Sequence, residues 1–339
     1  MARKCLLKNE PIDILLSMSI YVQAANQISM QEPLCEAWME NPVEHQEPFC
    51  RSIEPDYKPY VSPVEGRRMG KLLKRALSTS KKTLDDCGLT SPEAIITGTG
   101  LGSVESTEAF LLDMCQNGEE LLKPTHFMQS THNTIGSLVA IQTKCHGYNA
   151  TYSHKQISFE SALYDAWLQL EQKTLNNALV LGQDATTENY YHLLELIDYV
   201  GNGMKGTCGE ASVAALLTNN ELPGHQPLCE LVSVKLLHRP TLEQWKKAVE
   251  GLHLPSDCVL LTGHNGHPKN DALYDELLPV LFPNAKVLTY KQWFGECYSA
   301  SALGFYVAAQ WIAQGQQKHV LVVTLDRMGD AAMTYLRKI

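Results

Sequence analysis

The sequence is poor in charge and has no long apolar run. Charged residues make up 19 % of the 339 positions, and 28 lysines and arginines against 37 aspartates and glutamates give a formal net charge of −9. Non-specific nucleic-acid binding needs a basic face, so the balance argues against a nucleic-acid partner. No apolar run reaches the ~18 residues that span a bilayer, so we expect no membrane span.

The ten cysteines are scattered and form no C-x-x-C pair. Zinc cages and disulfide-rich secreted modules both use closely spaced cysteines, so neither class is indicated. We therefore predict reduced, mostly buried thiols in a cytoplasmic protein.

The N-terminus contains a segment that resembles a short signal-peptide core. Two lysines precede the apolar stretch Ile14–Val22, but Asp13 interrupts its start. Because Ile20–Val22 also fits a first strand, we interpret residues 1–18 as an N-terminal extension and not as a cleaved signal.

Hydrophobic residues make up 44 % of the chain, which is enough for a packed core. Apolar strand-like runs alternate with helical patterns, which predicts an α/β protein with strands covered on both faces. A Pro-containing stretch, 223–227, separates an N-terminal half at 19–222 from a C-terminal half at 223–339. The predicted strands are Ile20–Val22, Ala94–Gly98, Ala178–Gly182, Ala211–Leu217, Leu231–Leu236, Cys258–Leu261, Ala285–Leu288 and His319–Thr324. The predicted helices lie at 69–77, 107–115, 133–145, 158–171, 241–252, 271–281 and 301–313.

Two short motifs lack the residues that would make them cofactor or metal sites. Gly98, Gly100 and Gly102 follow a strand, but the third glycine comes one residue early for a dinucleotide loop. Close backbone approach explains such glycines equally well. His264 and His267 have no third ligand at a matching spacing, so a turn is the better interpretation. We predict no cofactor and no metal site.

The residue patterns also show no complete catalytic set. No G-x-S-x-G nucleophile motif occurs. Ser153 and His154 are neighbours in sequence, which does not by itself bring their side chains into contact.

A series of short segments nevertheless has a recognisable order and spacing. These are Arg67–Met69, Ile95–Gly102, Gln129–Gly136, Cys145–Asn149, Cys208–Ala211, Gly266–Asp271, and Lys291 with Gly295. In this order they resemble the β-ketoacyl synthase branch of the thiolase fold, from about Ile20 to the C-terminus. The resemblance implies an α/β, thiolase-like fold of two pseudo-repeated halves in αβαβα layers.

Members of that family carry a cysteine at the start of a buried helix and two histidines. The cysteine takes an acyl chain from an acyl carrier protein, and the histidines assist malonyl decarboxylation. In this chain the cysteine position falls on Gln156, and the first histidine position on Gly263 or, with a one-residue deletion, on His264. The second histidine position falls on Glu296, while the family lysine is retained as Lys291.

The resemblance therefore implies a catalytically degenerate ketosynthase-like subunit without independent condensing activity. It is similar to the chain-length factors of type II polyketide systems, and in length to ketosynthase-like partners from aryl-polyene or flexirubin pathways. Such a subunit pairs with an active β-ketoacyl-carrier-protein synthase and shapes its acyl tunnel in fatty-acid-, polyene- or polyketide-type biosynthesis. Alternatives are a residual malonyl-carrier decarboxylase or acyl hydrolase using Gln156, Ser153 or His264, or a homodimeric acyl-binding scaffold.

The same resemblance implies where partners would bind. A strand near Tyr148–Ser153 would pair across a two-fold interface in a heterodimer or homodimer. Interface or tunnel residues would be Phe127, Met128, Thr131, His132 and Asn133, and Phe127 or Met128 would limit chain length or simply pack the interface. A basic surface for an acyl carrier protein would comprise Lys71, Lys74, Arg75, Lys81 and Lys82.

Overall fold

The computed structural model describes residues 19–119, 122–201, 204 and 206–339, so the proposed extension at 1–18 lies outside the described residues. The strands are β1 Ile20–Ile28, β2 Ala94–Gly98, β3 Tyr148–Tyr152, β4 Asn177–Asp184, β5 Ala211–Thr218, β6 Cys229–His238, β7 Val259–Thr262, β8 Lys286–Thr289, β9 His319–Leu325 and β10 Asp330–Arg337. The helices are α1 Pro63–Gly66, α2 Lys71–Asp86, α3 Val104–Asn117, α4 Pro124–Ser130, α5 Thr134–Thr143, α6 Ser158–Glu171, α7 Glu188–Leu196, α8 Leu242–Glu250, α9 Pro268–Leu281, α10 Lys291–Phe294 and α11 Ala300–Ala313.

The strand order shows an internal repeat. The sheet runs β3-β2-β4-β5-β1-β6-β10-β9-β7-β8, so β1 to β5 and β6 to β10 follow the same order outward from the centre. The pairing senses also match: β2 is parallel to β3 and β4, as β7 is to β8 and β9, and the remaining pairs are antiparallel. The halves meet at the antiparallel pair of β1 and β6. The first repeat ends with β5 and the second begins with β6, close to the predicted boundary at 222–223. The boundary itself stays a prediction.

Alternating side chains build the layers. Ile96 of β2 and Val322 of β9 pack with α6 and α11 in one core, although they come from different halves. Their neighbours face outward: Ile95 packs with α2 and α5, and Leu321 packs with α8 and α9. Because successive strand residues point to opposite faces, both half-sheets are covered on both sides, which gives the αβαβα order.

The predicted helices and strands all have counterparts, but β10 was not predicted. Its sequence, DAAMTYLR, is rich in residues that favour helix, and its strand state depends on pairing with β6 and β9. Just after α2, Gly88 takes a φ of +64°, a conformation that favours glycine and ends the helix. None of the helices that the structure describes has the length and apolar character to cross a bilayer.

The prediction that Arg75 belongs to a basic surface is wrong. Its side chain is 1 % exposed and pairs with Glu54 at 2.6 Å and with Glu210 at 2.8 Å. The helical pattern placed it on the solvent side of α2, but the loop before α1 folds over that side and supplies Glu54. Of the other predicted members, Lys82 pairs with Asp86, and Lys71 is exposed.

Candidate functional site

Gln156 lies in the 3-10 turn Lys155–Ile157, which leads directly into α6. Its side chain is almost fully buried, at 3 % exposure. Its amide nitrogen donates to Glu296 Oε1 at 3.0 Å and to the Tyr199 hydroxyl at 2.6 Å. Both amide hydrogens therefore have acceptors inside the protein, which fixes the side chain in one orientation.

A glycine at the end of β2 allows α6 to take this position. A Cβ added to Gly98 would lie 2.4 Å from the Ser158 carbonyl oxygen and 2.6 Å from the Phe159 backbone. Gly98 is thus explained by close approach of β2 and α6. The predicted structural role of this strand-end glycine is confirmed.

Glu296 is the centre of a buried group of polar side chains. Its carboxylate accepts hydrogen bonds from Lys291 Nζ at 2.8 and 3.0 Å, from Gln156, and from the side-chain amide of Asn265. Glu296 and Lys291 are 4 % and 6 % exposed. We call Gln156, Asn265, Lys291 and Glu296 the central polar cluster. Both carboxylate oxygens of Glu296 accept two hydrogen bonds each from donors within the protein.

The charges in the central polar cluster balance. Burial lowers the pKa of Lys291, but the Glu296 carboxylate, with a smaller effect of Tyr274, acts against burial, and the net result is a pKa above the ordinary value. Lys291 is therefore an ammonium at neutral pH and neutralises the carboxylate beside it. A buried ion pair with further hydrogen bonds is stable when complete and costly to break.

The backbone next to Glu296 is fixed by the segment around Cys208. Glu296 N donates to Thr207 O at 2.8 Å, and Gly209 N donates to Glu296 O at 3.0 Å. Gly295 has a φ of +70°, and a Cβ there would lie 2.8 Å from the Thr207 carbonyl oxygen. Only glycine fits this position without rearrangement, so the turn that presents Glu296 is rigidly defined.

Gly263 and His264 have different surroundings. A Cβ on Gly263 would lie 2.7 Å from the Tyr274 hydroxyl and 3.3 Å from Lys291 Cε, so tyrosine occupies the space that a larger side chain would need. The His264 ring contacts Thr262 Oγ1 at 2.7 Å and Asp275 Oδ1 at 3.3 Å. Gly263 thus borders the central polar cluster, and the His264 ring bonds to residues outside it.

Three residues in or beside the central polar cluster were not predicted. Tyr199 connects Gln156 to Arg327, whose guanidinium carbon lies 4.7 Å from the centre of the Tyr199 ring. Arg327 also contacts His267 Nδ1 at 3.0 Å. Asn265 is the third, and it lies between the two histidines that the sequence analysis singled out. Tyr199 gave no sequence signal, because its loop position follows no motif.

Two cysteines near Glu296 are not activated nucleophiles. Burial, and after it the Glu296 carboxylate, raises the pKa of Cys208. Burial, Asp184 and Glu296 raise the pKa of Cys297 in the same direction. Because the thiolate is the reactive form, both side chains are unreactive thiols at neutral pH.

The segment that the resemblance placed at an interface is exposed. Phe127 and Met128, on α4, are 56 % and 67 % exposed, and the Phe127 ring packs 5.4 Å from that of Phe110. Thr131, His132 and Asn133 follow on the surface. Among these, the Thr131 hydroxyl contacts Thr134 Oγ1 at 2.8 Å, which secures the turn from α4 to α5.

Comparison with family models gives a match to the β-ketoacyl synthase N-terminal domain over residues 35–231, more than half of the chain. The chain belongs to the β-ketoacyl synthase family. The matched region includes β2 to β5 and Gln156, whereas Lys291 and Glu296 lie beyond it. A comparison with curated protein sequences found no match.

Solved ketosynthase structures share the fold of this family member. One is described as AntDE:AntF, a type II PKS acyl-carrier protein in complex with its ketosynthase, with a TM-score of 0.82, 11 % identity and coverage of 96 % of this chain and 100 % of that one. The ishigamide ketosynthase/chain length factor has a TM-score of 0.83 and 15 % identity, covering 95 % and 100 %. The ketosynthase ApeO in complex with its chain length factor ApeC, from Xenorhabdus doucetiae, has a TM-score of 0.74 and 15 % identity, covering 95 % and 98 %. These matches confirm the thiolase-like fold.

Proposed function

We propose that this β-ketoacyl synthase family member is a catalytically degenerate subunit that pairs with an active β-ketoacyl-carrier-protein synthase and shapes its acyl tunnel. The observation that carries the proposal is the central polar cluster. Gln156, Glu296 and Lys291 bond to one another where the family resemblance expects a cysteine and a histidine beside the lysine.

The four side chains of the central polar cluster cannot perform condensation. Condensation needs a thiolate to hold the acyl chain and groups that stabilise a developing oxyanion. A glutamine amide is not a comparable nucleophile, and the Lys291 ammonium and the Gln156 and Asn265 amides already donate to the Glu296 carboxylate, so they are not free to stabilise an oxyanion. Loss of a nucleophile and its base costs on the order of 10⁶ in rate. The geometry therefore supports a subunit whose chemistry takes place in a partner.

An edge strand and the apolar surface beside it support the proposed pairing. β3 is the terminal strand of the sheet, so one of its edges has no strand partner in the part of the chain that the structure describes. α5 packs against β3, and α4 packs against α5. These helices expose Ile141 at 73 % in addition to Phe127 and Met128. Exposed apolar patches of this kind mark protein–protein interfaces.

The proposed limit on chain length depends on side-chain volume at the same surface. Phe127 and Met128 project from α4, and a side chain of either size would fill the end of a tunnel in a partner. Protein interiors are close-packed, so one side chain can set a length limit. The solved relatives described as pairing a ketosynthase with a chain length factor are consistent with this role. An acyl carrier protein would be the substrate carrier for the pair.

No hydrogen bond within the described residues favours the hydrolase or decarboxylase alternative. The Ser153 hydroxyl donates to Gly100 O at 3.4 Å, whereas the neighbouring His154 ring contacts Asp330 at 3.1 Å and Ser161 at 3.3 Å. Each side chain thus has partners other than the one that a Ser–His pair would need.

Co-expression with a candidate ketosynthase tests the proposal. We expect a stable one-to-one complex, and we expect loss of the polyketide- or polyene-type product when this chain is omitted. A homodimer that never associates with the ketosynthase would support the scaffold alternative. Malonyl-carrier decarboxylation or acyl-carrier hydrolysis by the chain alone would support the enzyme alternative. Efficient elongation by the chain alone would contradict the proposal.

A further inference from the structure

A second group of polar side chains lies in the long loop between β1 and α1, outside the central polar cluster. His45, Glu47 and Cys50 bring one imidazole nitrogen, one carboxylate oxygen and the cysteine sulfur within 4.8 Å of one another. Imidazole, carboxylate and thiolate are the ligand types that zinc takes in proteins. Their spacing, H-x-E-x-x-C, contains no cysteine pair and no histidine pair, which is why the sequence analysis did not identify it.

The His45 ring is anchored by a backbone carbonyl. Its Nε2 lies 2.9 Å from the carbonyl oxygen of Met30, a buried residue just after β1. A carbonyl only accepts, so Nε2 carries the proton and Nδ1 keeps its lone pair. Metal-bound histidines commonly donate their second nitrogen to a backbone carbonyl in this way, which fixes the tautomer.

Cys50 is fixed by the backbone around it. Cys50 N donates to Cys208 O at 2.8 Å, and Cys208 N donates to Pro48 O at 2.8 Å. The Thr207 hydroxyl lies 3.7 Å from the Cys50 sulfur and 3.2 Å from Cys208 O. Cys50 is a buried free cysteine, so its sulfur is available to a cation, which binds cysteine as the thiolate.

Glu47 completes the set from the solvent side. It is exposed, and its Oε2 lies 3.8 Å from the Cys50 sulfur. A thiolate and a carboxylate together carry the charge that neutralises a divalent cation. The exposed side of the group leaves room for water as a fourth ligand, which would complete tetrahedral zinc coordination.

We propose that His45, Glu47 and Cys50 bind a zinc-type divalent cation through His45 Nδ1, a Glu47 oxygen and the Cys50 sulfur. Binding releases the Cys50 proton to solvent and forms a metal–sulfur bond with no change in oxidation state. Carboxylate-only sites suit Mg²⁺ or Ca²⁺, whereas a thiolate with imidazole selects Zn²⁺ among the abundant cations. The metal would cross-link the loop at 45–50, which bonds through its backbone to Cys208.

Titration of the chelator-treated full-length chain with Co²⁺ and Zn²⁺ tests this site. We expect one metal per chain, a sulfur-to-cobalt charge-transfer band, the visible bands of tetrahedral cobalt, and displacement of cobalt by Zn²⁺. Cys50→Ser removes the charge-transfer band. Thr207→Val removes a hydroxyl that contacts a ligand, and we expect it to weaken Zn²⁺ affinity about tenfold. His45→Gln and Glu47→Gln remove ligands, and we expect them to weaken Zn²⁺ affinity more.

The matched control is Cys115→Ser, because Cys115 is an exposed free cysteine on α3. It leaves both the bands and the Zn²⁺ affinity unchanged. Glu47→Gln keeps the test valid if Cys50→Ser fails to fold, since the Glu47 side chain is exposed. The proposal is overturned if the wild-type chain shows no charge-transfer band, or if Cys50→Ser or Glu47→Gln binds Zn²⁺ as tightly as the wild type.

Discussion

Gln156 and Glu296 are 140 residues apart in sequence, yet the Gln156 amide donates to the Glu296 carboxylate at 3.0 Å. The bond joins the start of α6 in the first half to the segment between α10 and α11 in the second. Glu296 binds Lys291 at the same time, so its carboxylate links the other two side chains. The two halves are therefore connected by a buried hydrogen bond to a residue of an ion pair, at the place where the family resemblance expects reactive groups.

Glu296→Gln should strongly destabilise the protein. The substitution leaves the buried Lys291 ammonium without its counter-charge, and loss of one partner of a buried pair costs about 3–5 kcal/mol of unfolding free energy. Urea denaturation at neutral pH measures the change. Because the folded pKa of Lys291 is raised, the pair's contribution is present below the unfolded value of about 10.4 and is lost as the pH rises through the folded value.

The exposed pair of Glu105 and Arg51, at 3.2 Å, supplies the control. Glu105→Gln should cost at most about 1 kcal/mol, as for other surface ion pairs. Adding Lys291→Met to Glu296→Gln should recover most of the lost stability, because the uncompensated charge is removed. Equal costs for Glu296→Gln and Glu105→Gln would contradict the ion-pair account.

Glu160 should make the protein less stable as the pH rises from about 4.3 to 7. Burial raises the pKa of Glu160 to about 7, although the Thr324 and Ser301 hydroxyls donate to its carboxylate. Between the unfolded value of about 4.3 and the folded value, the folded state binds more protons, so acid favours folding. The free energy of unfolding should fall by a few kcal/mol across this interval. In Glu160→Gln the slope should be markedly smaller, and an unchanged slope would refute the assignment.

Arg75→Met should destabilise the protein by about 3 kcal/mol, because the buried Glu210 loses its closer cation and keeps Arg51, at 3.7 Å. The Glu210 side chain is fully buried and bonds to Arg75 at 2.8 Å. Arg67→Ala, at an exposed arginine just before α2, is the comparison and should stay within about 0.5 kcal/mol of the wild type. Thermal or urea unfolding of both variants decides the matter. If Arg75→Met unfolds with the same free energy as the wild type, the ion pair of Arg75 and Glu210 does not stabilise the protein.

Restoring a cysteine alone should not restore chemistry. In Gln156→Cys the thiol would be buried beside the Glu296 carboxylate, the environment that raises the pKa of Cys208. We expect no covalent acyl adduct after incubation with an acyl-carrier thioester, as measured by intact-protein mass spectrometry. Acylation of an active ketosynthase by the same thioester is the positive control for the reagent. Stoichiometric acylation at position 156 would contradict this expectation.

Charge introduced at the α4 surface should prevent pairing with a ketosynthase. Met128→Glu places a carboxylate at a 67 % exposed apolar position, and an unpaired charge in an interface is costly to desolvate. We expect loss of co-purification with the partner. Val280→Glu, at a 52 % exposed position on α9, should leave the complex intact. If Met128→Glu still co-purifies with the ketosynthase, the interface does not include the α4 surface.

The sequence predicted the alternating elements because their apolar periodicity is local. β4 and β5 each contain a mostly apolar stretch, Ala178–Gly182 and Ala211–Leu217, and their burial on both faces follows from composition. β10 was missed because its strand state is set by pairing with β6 and β9, which no local pattern records. Arg75 was misplaced for the same reason, since Glu54 and Glu210 reach it from distant parts of the chain.

The site was predictable in part. Gln156, Lys291 and Glu296 were found by counting from family segments, and the structure brings them into contact. Tyr199 and Asn265 were not found. Tyr199 bonds to Gln156, 43 residues away, and Asn265 bonds to Glu296, 31 residues away. Hydrogen bonds between distant loops leave no periodic signal in the sequence. The roles of Gln156, Gly263 and His264, and of the exposed residues from Phe127 to Asn133, stay predictions.

The central claim is tested most directly by a reconstituted elongation assay in which each subunit is inactivated in turn. Acyl- and malonyl-carrier thioesters are supplied to the complex, and carbon–carbon bond formation is followed by mass spectrometry. The account predicts that elongation survives Gln156→Ala in this chain and is abolished when the ketosynthase cysteine is replaced by alanine. Elongation that is lost with Gln156→Ala in an intact complex, or that persists without the ketosynthase cysteine, would contradict it.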